Sequence, residues 1–170
     1  MKKHIELTGY GAGRITTVGS LTGNLIELLS AMRADGRSLI ALAEFSDCRY
    51  VQFFVDAEGD VMAEVISNLN IGGAIALQPD DEDALQALGF NEPSYGYNPN
   101  WWIHALTTED FTSMASTMNA AIYTVLRESP NNEVTVSTWP ASGSAGMTAD
   151  DVRATFRVHV AEGTGDRLDD

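Results

Sequence analysis

The residues best equipped for chemistry in this chain are its carboxylates, three histidines, one cysteine and a crowded group of aromatics. His4, His104 and His159 stand far apart, and no His/Cys/Asp group has the spacing of a metal site. Asp80, Asp81, Glu82 and Asp83 are acidic enough to attract a divalent cation. Consecutive helical residues point in different directions, however, and the calcium-loop pattern is absent. A solvated first helical turn, where the dipole favours acids, accounts better for them. No structural metal and no cofactor is expected.

Gly9, Gly11 and Gly13 form G-x-G-x-G. Thr16 stands where a third dinucleotide-motif glycine belongs, no buried strand precedes it, and no lysine follows at phosphate-loop spacing. The serines include no G-x-S-x-G elbow. Cys48 lies between Asp47 and Arg49 in a turn with no local base to activate it. As the sole cysteine it excludes an intrachain disulfide. No catalytic residue is assigned.

Phe90, Tyr95, Tyr97, Trp101 and Trp102 cluster around a Pro/Gly loop. Two adjacent indoles on a strand point to opposite faces, so one can be core while the other stays available. Aromatic-rich loops can anchor peptides.

These residues need a scaffold, and its clearest part is Tyr50–Asn68. It predicts a hairpin with Gly59 in the left-handed position of a short turn. With Asp56 facing Asp60, Val55 faces Val61, Phe53 faces Ala63 and Val51 faces Val65, an apolar row. The other row sets Tyr50, Gln52 and Phe54 against Ile66, Glu64 and Met62. A sheet with one solvated face alternates cleanly, and this one does not, so something must cover each face. Leu39–Phe45 predicts a preceding strand. Pairing Phe45 with Tyr50 sets Leu42 against Phe53 and Ile40 against Val55, with Glu44 at the outer end of the apolar face.

Leu21, Leu25, Leu28, Leu29 and Met32 predict a first helix with Thr22 as N-cap and Gly36 as stop. Asp80–Leu88 predicts a short helix and Trp101–Leu106 a short strand. Phe111, Met114, Ala115, Met118, Ile122 and Val125 stripe a longer helix, opened by a Thr107/Asp110 capping pair and closed near Arg127 and Pro130. Short strands are expected around His4–Leu7, Val134–Trp139 and Ala154–Val160. The organisation is a loosely ordered lead-in over 1–20, an α+β domain over 21–130, and extra strands with an acidic flexible tail over 131–170. The fold class is an antiparallel sheet, a three-stranded meander plus further short strands, packed on helices in the order α-β-β-β-α-β-α.

The formal net charge is −14, and all ten Lys and Arg lie outside 50–126. Such a surface repels phosphate backbones, so nucleic-acid binding is not expected, whereas a basic partner would be steered towards it. No apolar run reaches the roughly 20 residues of a membrane span, and no signal-peptide core is present. The expectation is a soluble cytoplasmic protein with no membrane contact.

Tyr50-Val51-Gln52-Phe53, Ala63–Asn68, Leu85 with Leu88-Gly89-Phe90, Pro93 and Asn100-Trp101 together resemble the bacterial TY-Chap domains. These are peptide-binding-chaperone-like domains related to type III secretion chaperones and YbjN-like proteins, common in actinobacteria. The resemblance covers roughly 21–128. It implies a helix–three strands–helix–strand–helix fold and non-enzymatic binding of a peptide or extended protein segment, with dimers frequent among the secretion chaperones. The family pattern designates no ligand contacts. From the strand register, the candidate contact residues are Tyr50, Gln52, Phe54, Met62, Glu64 and Ile66, flanked by Trp101 or Trp102. The alternative is a small-ligand protein or enzyme using scattered carboxylates, His104 and Trp101/Trp102.

Overall fold

Alternating apolar residues and two tight turns make the centre of the sheet, and everything else is added around it. The computed structural model describes residues 14–106 and 109–141. Strand β1 (Arg14–Thr17) leads into helices α1 (Val18–Gly23) and α2 (Leu25–Asp35). The meander β2 (Leu39–Phe45), β3 (Tyr50–Val55) and β4 (Val61–Val65) follows, then α3 (Pro79–Ala87) and β5 (Trp101–Ala105). Helix α4 (Thr112–Ala120) runs on into a π-helical stretch, Ala121–Val125, and β6 (Glu133–Pro140) closes the series. All these elements fall within the first of two units, Met1–Pro140.

The six strands form one sheet in the order β1-β6-β2-β3-β4-β5, with every pair antiparallel. The α+β class and the predicted order α-β-β-β-α-β-α are present, with β1 added before and β6 after. Strand β6 inserts between β1 and β2, so the two ends of the series meet across the sheet. The expected strands at His4–Leu7 and Ala154–Val160, and the C-terminal tail, lie outside the described residues.

The β3–β4 hairpin has the expected register: Val51 faces Val65, Gln52 faces Glu64, Phe53 faces Ala63, Phe54 faces Met62 and Val55 faces Val61. Its turn is built by Asp56, whose Oδ1 accepts from the amides of Gly59 (2.8 Å) and Asp60 (2.9 Å). Gly59 takes φ +97°, the left-handed region where a Cβ is costly.

The β2–β3 register differs by one residue from the expected one. Glu44 faces Tyr50, Leu42 faces Gln52, Ala41 faces Phe53 and Leu39 faces Val55. The reason is the turn. The Phe45 amide donates to Arg49 O (2.8 Å), leaving a three-residue loop with Cys48 at φ +68°. A one-residue slip moves every side chain to the other face. Leu39, Ala41, Ala43 and Phe45 therefore enter the apolar row, while Ile40, Leu42 and Glu44 join Tyr50, Gln52 and Phe54.

The apolar row lies under the helices. Val51, Phe53, Val55, Val61, Ala63 and Val65 are at most 1% exposed. They share one hydrophobic cluster with Leu25, Leu29 and Met32 of α2, Leu85 of α3, Met118 of α4 and Ile122. The buried apolar residues of every described α-helix join that cluster, and no residue of the other row does.

Helix boundaries also moved for local reasons. Thr17, not Thr22, caps the first helix, its Oγ1 accepting from the Ser20 amide (3.1 Å). Gly23 and Asn24 then divide the predicted single helix into α1 and α2. Helix α3 opens with Pro79 at its first turn and a reciprocal Gln78/Asp81 cap. Helix α4 starts only at Thr112, with Phe111 in the cap position and Asp110 Oδ1 accepting from the Thr112 amide (3.0 Å). Thr107, its expected cap, lies outside the described residues.

Candidate functional site

The second face of the sheet carries the even-numbered residues of β2 to β5. Tyr50, Phe54, Met62 and Trp102 are partly exposed there, and His104 is exposed. At the centre of this face is a buried polar network. Gln52 is 7% exposed and Glu64 3%, an unusual depth for a carboxylate.

Glu64 is held by three amides. The Gln52 amide, directly across from it on β3, donates to Glu64 Oε2. Asn98 Nδ2 donates to Glu64 Oε1 at 2.8 Å, and Asn100 Nδ2 to Oε2 at 3.1 Å. A buried carboxylate without such donors would cost several kcal/mol of lost hydration. Tyr50 belongs to the same network, with Asn100 Nδ2 donating to its hydroxyl at 3.3 Å. Met62 Sδ lies 3.5 Å from Asn98 Nδ2.

The asparagines arrive on the loop between α3 and β5. Asn98 Oδ1 accepts from the Asn100 amide (3.0 Å), making a local turn that sends both side chains towards Glu64. The loop is pinned from the other side by Ser67, whose hydroxyl donates to Pro99 O, and by Asn70, whose Nδ2 donates to Asn100 Oδ1 at 2.8 Å. Both asparagines are at most 2% exposed. Sequence reasoning placed Asn100 only within a family pattern and did not see Asn98.

The tryptophans separate as alternation requires. Trp101 turns into the hydrophobic cluster beneath the helices. Trp102 stands on the second face opposite Glu64, and Tyr97 meets it edge-on with ring centroids 5.9 Å apart. Of the candidate contact residues, Tyr50, Gln52, Phe54, Met62, Glu64 and Trp102 therefore share one face. Ile66 continues that row but is 2% exposed. His104, Trp101 and Trp102 do not converge, because Trp101 points to the opposite face.

The edge strand β5 is blunted at both ends. Trp102 exchanges backbone hydrogen bonds with Asn91 (2.8 and 3.3 Å), so its outward groups are occupied. The Leu106 amide donates to Glu109 Oε2 (2.5 Å), and Leu106 O accepts from Arg33 Nη2 (3.1 Å) and the Glu109 amide (2.9 Å). Only the outward amide and carbonyl of His104 lie between these capped positions. Short or covered edges of this kind resist strand addition.

Charge on the second face has one sign. The β6 register brings Thr135 opposite Glu44, which sets Glu133 on the same side. With Glu64, the charged side chains contributed to this face by β2 to β6 are carboxylates, and none is Lys or Arg. Elsewhere, Arg33 and Arg127 are engaged in structural contacts. Arg33 donates from Nε to Gly59 O (2.8 Å) and from Nη1 to Glu109 O (2.8 Å), and its guanidinium lies 4.1 Å over the Phe111 ring. Arg127 Nη2 donates to Asp81 Oδ1 at 2.7 Å. Burial opposes the charge of Asp81, but Arg127 and the Gln78 amide outweigh it and hold the carboxyl below its ordinary value.

Among the described residues, no group of three or more His, Cys, Asp or Glu is placed to hold a metal ion. Nor is any helix among them long and apolar enough to cross a membrane. What the second face offers is a partly exposed apolar and aromatic surface around a fixed acidic centre.

No curated protein and no solved structure matches this chain. A family model does match, over residues 19–140, and it spans the whole sheet except β1. Its fold is thus the α+β arrangement described above, and its description points to a chaperone-like protein with peptide or protein clients. The chain belongs to the TY-Chap3 family, the T3SS (YopN, CesT) and YbjN peptide-binding chaperones 3.

Proposed function

We propose that this protein is a non-enzymatic chaperone that captures an extended segment of a partner on the second face of its sheet. The observation carrying this reading is the contrast between two neighbouring rows. Phe53 is sealed under helices, while Phe54, one residue on, is partly exposed across from Met62, on the face that also carries Tyr50 and Trp102. Apolar surface left open to solvent on a sheet face marks interaction sites. Tyr50, Phe54, Met62 and Trp102 make the contacts. Gln52 and Glu64 form the polar centre beneath them, and Ile66 supports the row from below.

With the β5 edge capped, the face rather than strand addition at that edge is the main source of affinity. The uniform negative sign of the face favours a basic client. The protein acts in the cytoplasm, and a homodimer through the same face would compete with client binding.

The experiment is capture of the client from the native lysate, followed by titration of a synthetic segment of that client. Phe54→Asp and Trp102→Ala should weaken binding more than tenfold, by analogy with interface anchors. Light scattering on a sizing column reads the oligomeric state of each variant in parallel. Unchanged affinity in both variants would sink the assignment of this face.

A further inference from the structure

We infer that the Gln52–Glu64 centre is a subsite for one cationic side chain of the client, an arginine guanidinium. This rests on the proposed use of the second face and adds what that face selects. The carrying observation is Gln52 Oε1. It is buried and has no hydrogen-bond partner, although the residue is 7% exposed. The amide cannot be reversed to correct this, because its nitrogen is committed to Glu64 Oε2. A reversed amide would set oxygen against carboxylate. Buried polar atoms left without a partner are uncommon and costly. The missing partner must be a donor.

Three features say which donor. First, the acceptor lies beside a carboxylate whose two oxygens are oriented by Gln52, Asn98 and Asn100. Secondly, the acidic side chains that β2 to β6 direct to this face are Glu44, Glu64 and Glu133, and these strands direct no Lys or Arg to it. Thirdly, Trp102 stands opposite Glu64, with Tyr97 against its ring. Trp102 and Glu64 do not exchange backbone bonds, since the outward groups of Trp102 go to Asn91, and side chains in such pairs lie closest. A planar cation with several donors fits a carboxylate, an amide oxygen and an indole face together, and guanidinium does so better than ammonium. Entry requires a partly exposed neighbour to move, and the unbranched Met62 side chain, beside Asn98, is the adaptable one.

The test uses the full chain and acetylated, amidated peptides of alternating leucine and threonine with one central arginine, citrulline, lysine or norleucine. Binding is read by isothermal titration and by the methyl signal of Met62. The arginine peptide should bind at least about tenfold more tightly than the citrulline and norleucine peptides, as expected for charge-assisted bonds. That preference should vanish in Gln52→Met and in Gln52→Lys, the second of which keeps a donor on Glu64 and guards against simple misfolding. Equal binding of all four peptides to the wild type would overturn the subsite and leave the face reading standing. Lysine matching arginine would overturn the guanidinium assignment. No binding by any peptide, with Met62 unmoved, would overturn both.

Discussion

Gln52 and Glu64 face each other across β3 and β4 and are joined amide to carboxylate in the buried centre of the second sheet face. Glu64 is the shared acceptor for Gln52, Asn98 and Asn100, so its removal strands three buried donors at once. Glu64→Ala should therefore cost roughly 3 kcal/mol or more in urea unfolding. Glu64→Gln keeps the shape and one acceptor oxygen and should cost about 1–2 kcal/mol. If the two variants unfold at the same midpoint as the wild type, the network contributes nothing to the fold.

Phe53 and Phe54 are consecutive yet belong to different environments. Phe53 is 1% exposed among helix residues, whereas Phe54 is partly open to solvent. Phe53→Ala should cost about 3–5 kcal/mol, and Phe54→Ala less than about 1.5 kcal/mol because much of its area is not buried. Client affinity should respond in the opposite sense, Phe54→Ala losing binding while Phe53→Ala loses stability. Paired thermal melts and titrations separate the two quantities.

How much of this was legible beforehand follows from where the partners lie in sequence. The β3–β4 register could be read because Asp56, Gly59 and Asp60 declare their own turn, and the apolar residues on both sides then fall into step. The β2–β3 register could not, because Cys48 is an ordinary L-residue in a left-handed conformation and its type does not announce one. The meander is legible in the sequence, and that single residue decides which face Ile40 and Leu42 take. The polar centre was half visible. Gln52 and Glu64 broke an apolar row, but Asn98 and Asn100 lie 34 and 36 residues from Glu64 and reach it only once β5 has paired and the loop has folded back. The insertion of β6 between β1 and β2 is likewise a non-local pairing that periodicity cannot express. The split of Trp101 from Trp102 did follow from alternation, though which indole would be buried depended on the face that the helices cover.

Asp81 supplies a pH dependence whose sign is fixed by its partners. Burial works against its charge, but the Arg127 guanidinium and the Gln78 amide hold its carboxyl below the ordinary value of 3.8. A group depressed in the folded state contributes stability that is complete above its unfolded value and is lost as pH falls through the folded one. The wild type should therefore be more stable than Asp81→Asn at neutral pH. The gap should close as pH falls below 3.8 and through the lower folded value. Urea midpoints across that range check it, and a gap that stays constant would mean that the Asp81–Arg127 pair does not titrate with folding.

Cys48 offers a gain rather than a loss. It sits at φ +68° in the three-residue turn between β2 and β3, exposed to solvent. The left-handed region costs an L-residue about 1–2 kcal/mol, and glycine escapes that cost while giving back part of it in unfolded-chain entropy. The turn does not need the thiol: Asp47 Oδ1 accepts from the Arg49 amide (3.0 Å), and the Cys48 amide, which glycine keeps, donates to Phe45 O (3.0 Å). Cys48→Gly should accordingly raise stability by about 0.5–1 kcal/mol with the β2–β3 register unchanged. Cys48→Val, branched at Cβ, should lower it by a similar amount. Denaturant midpoints give the energies, and cross-strand amide contacts between Glu44 and Tyr50 report the register. If valine is tolerated as well as glycine, the left-handed conformation at Cys48 is not what holds this register, and the turn must reach it by another backbone path.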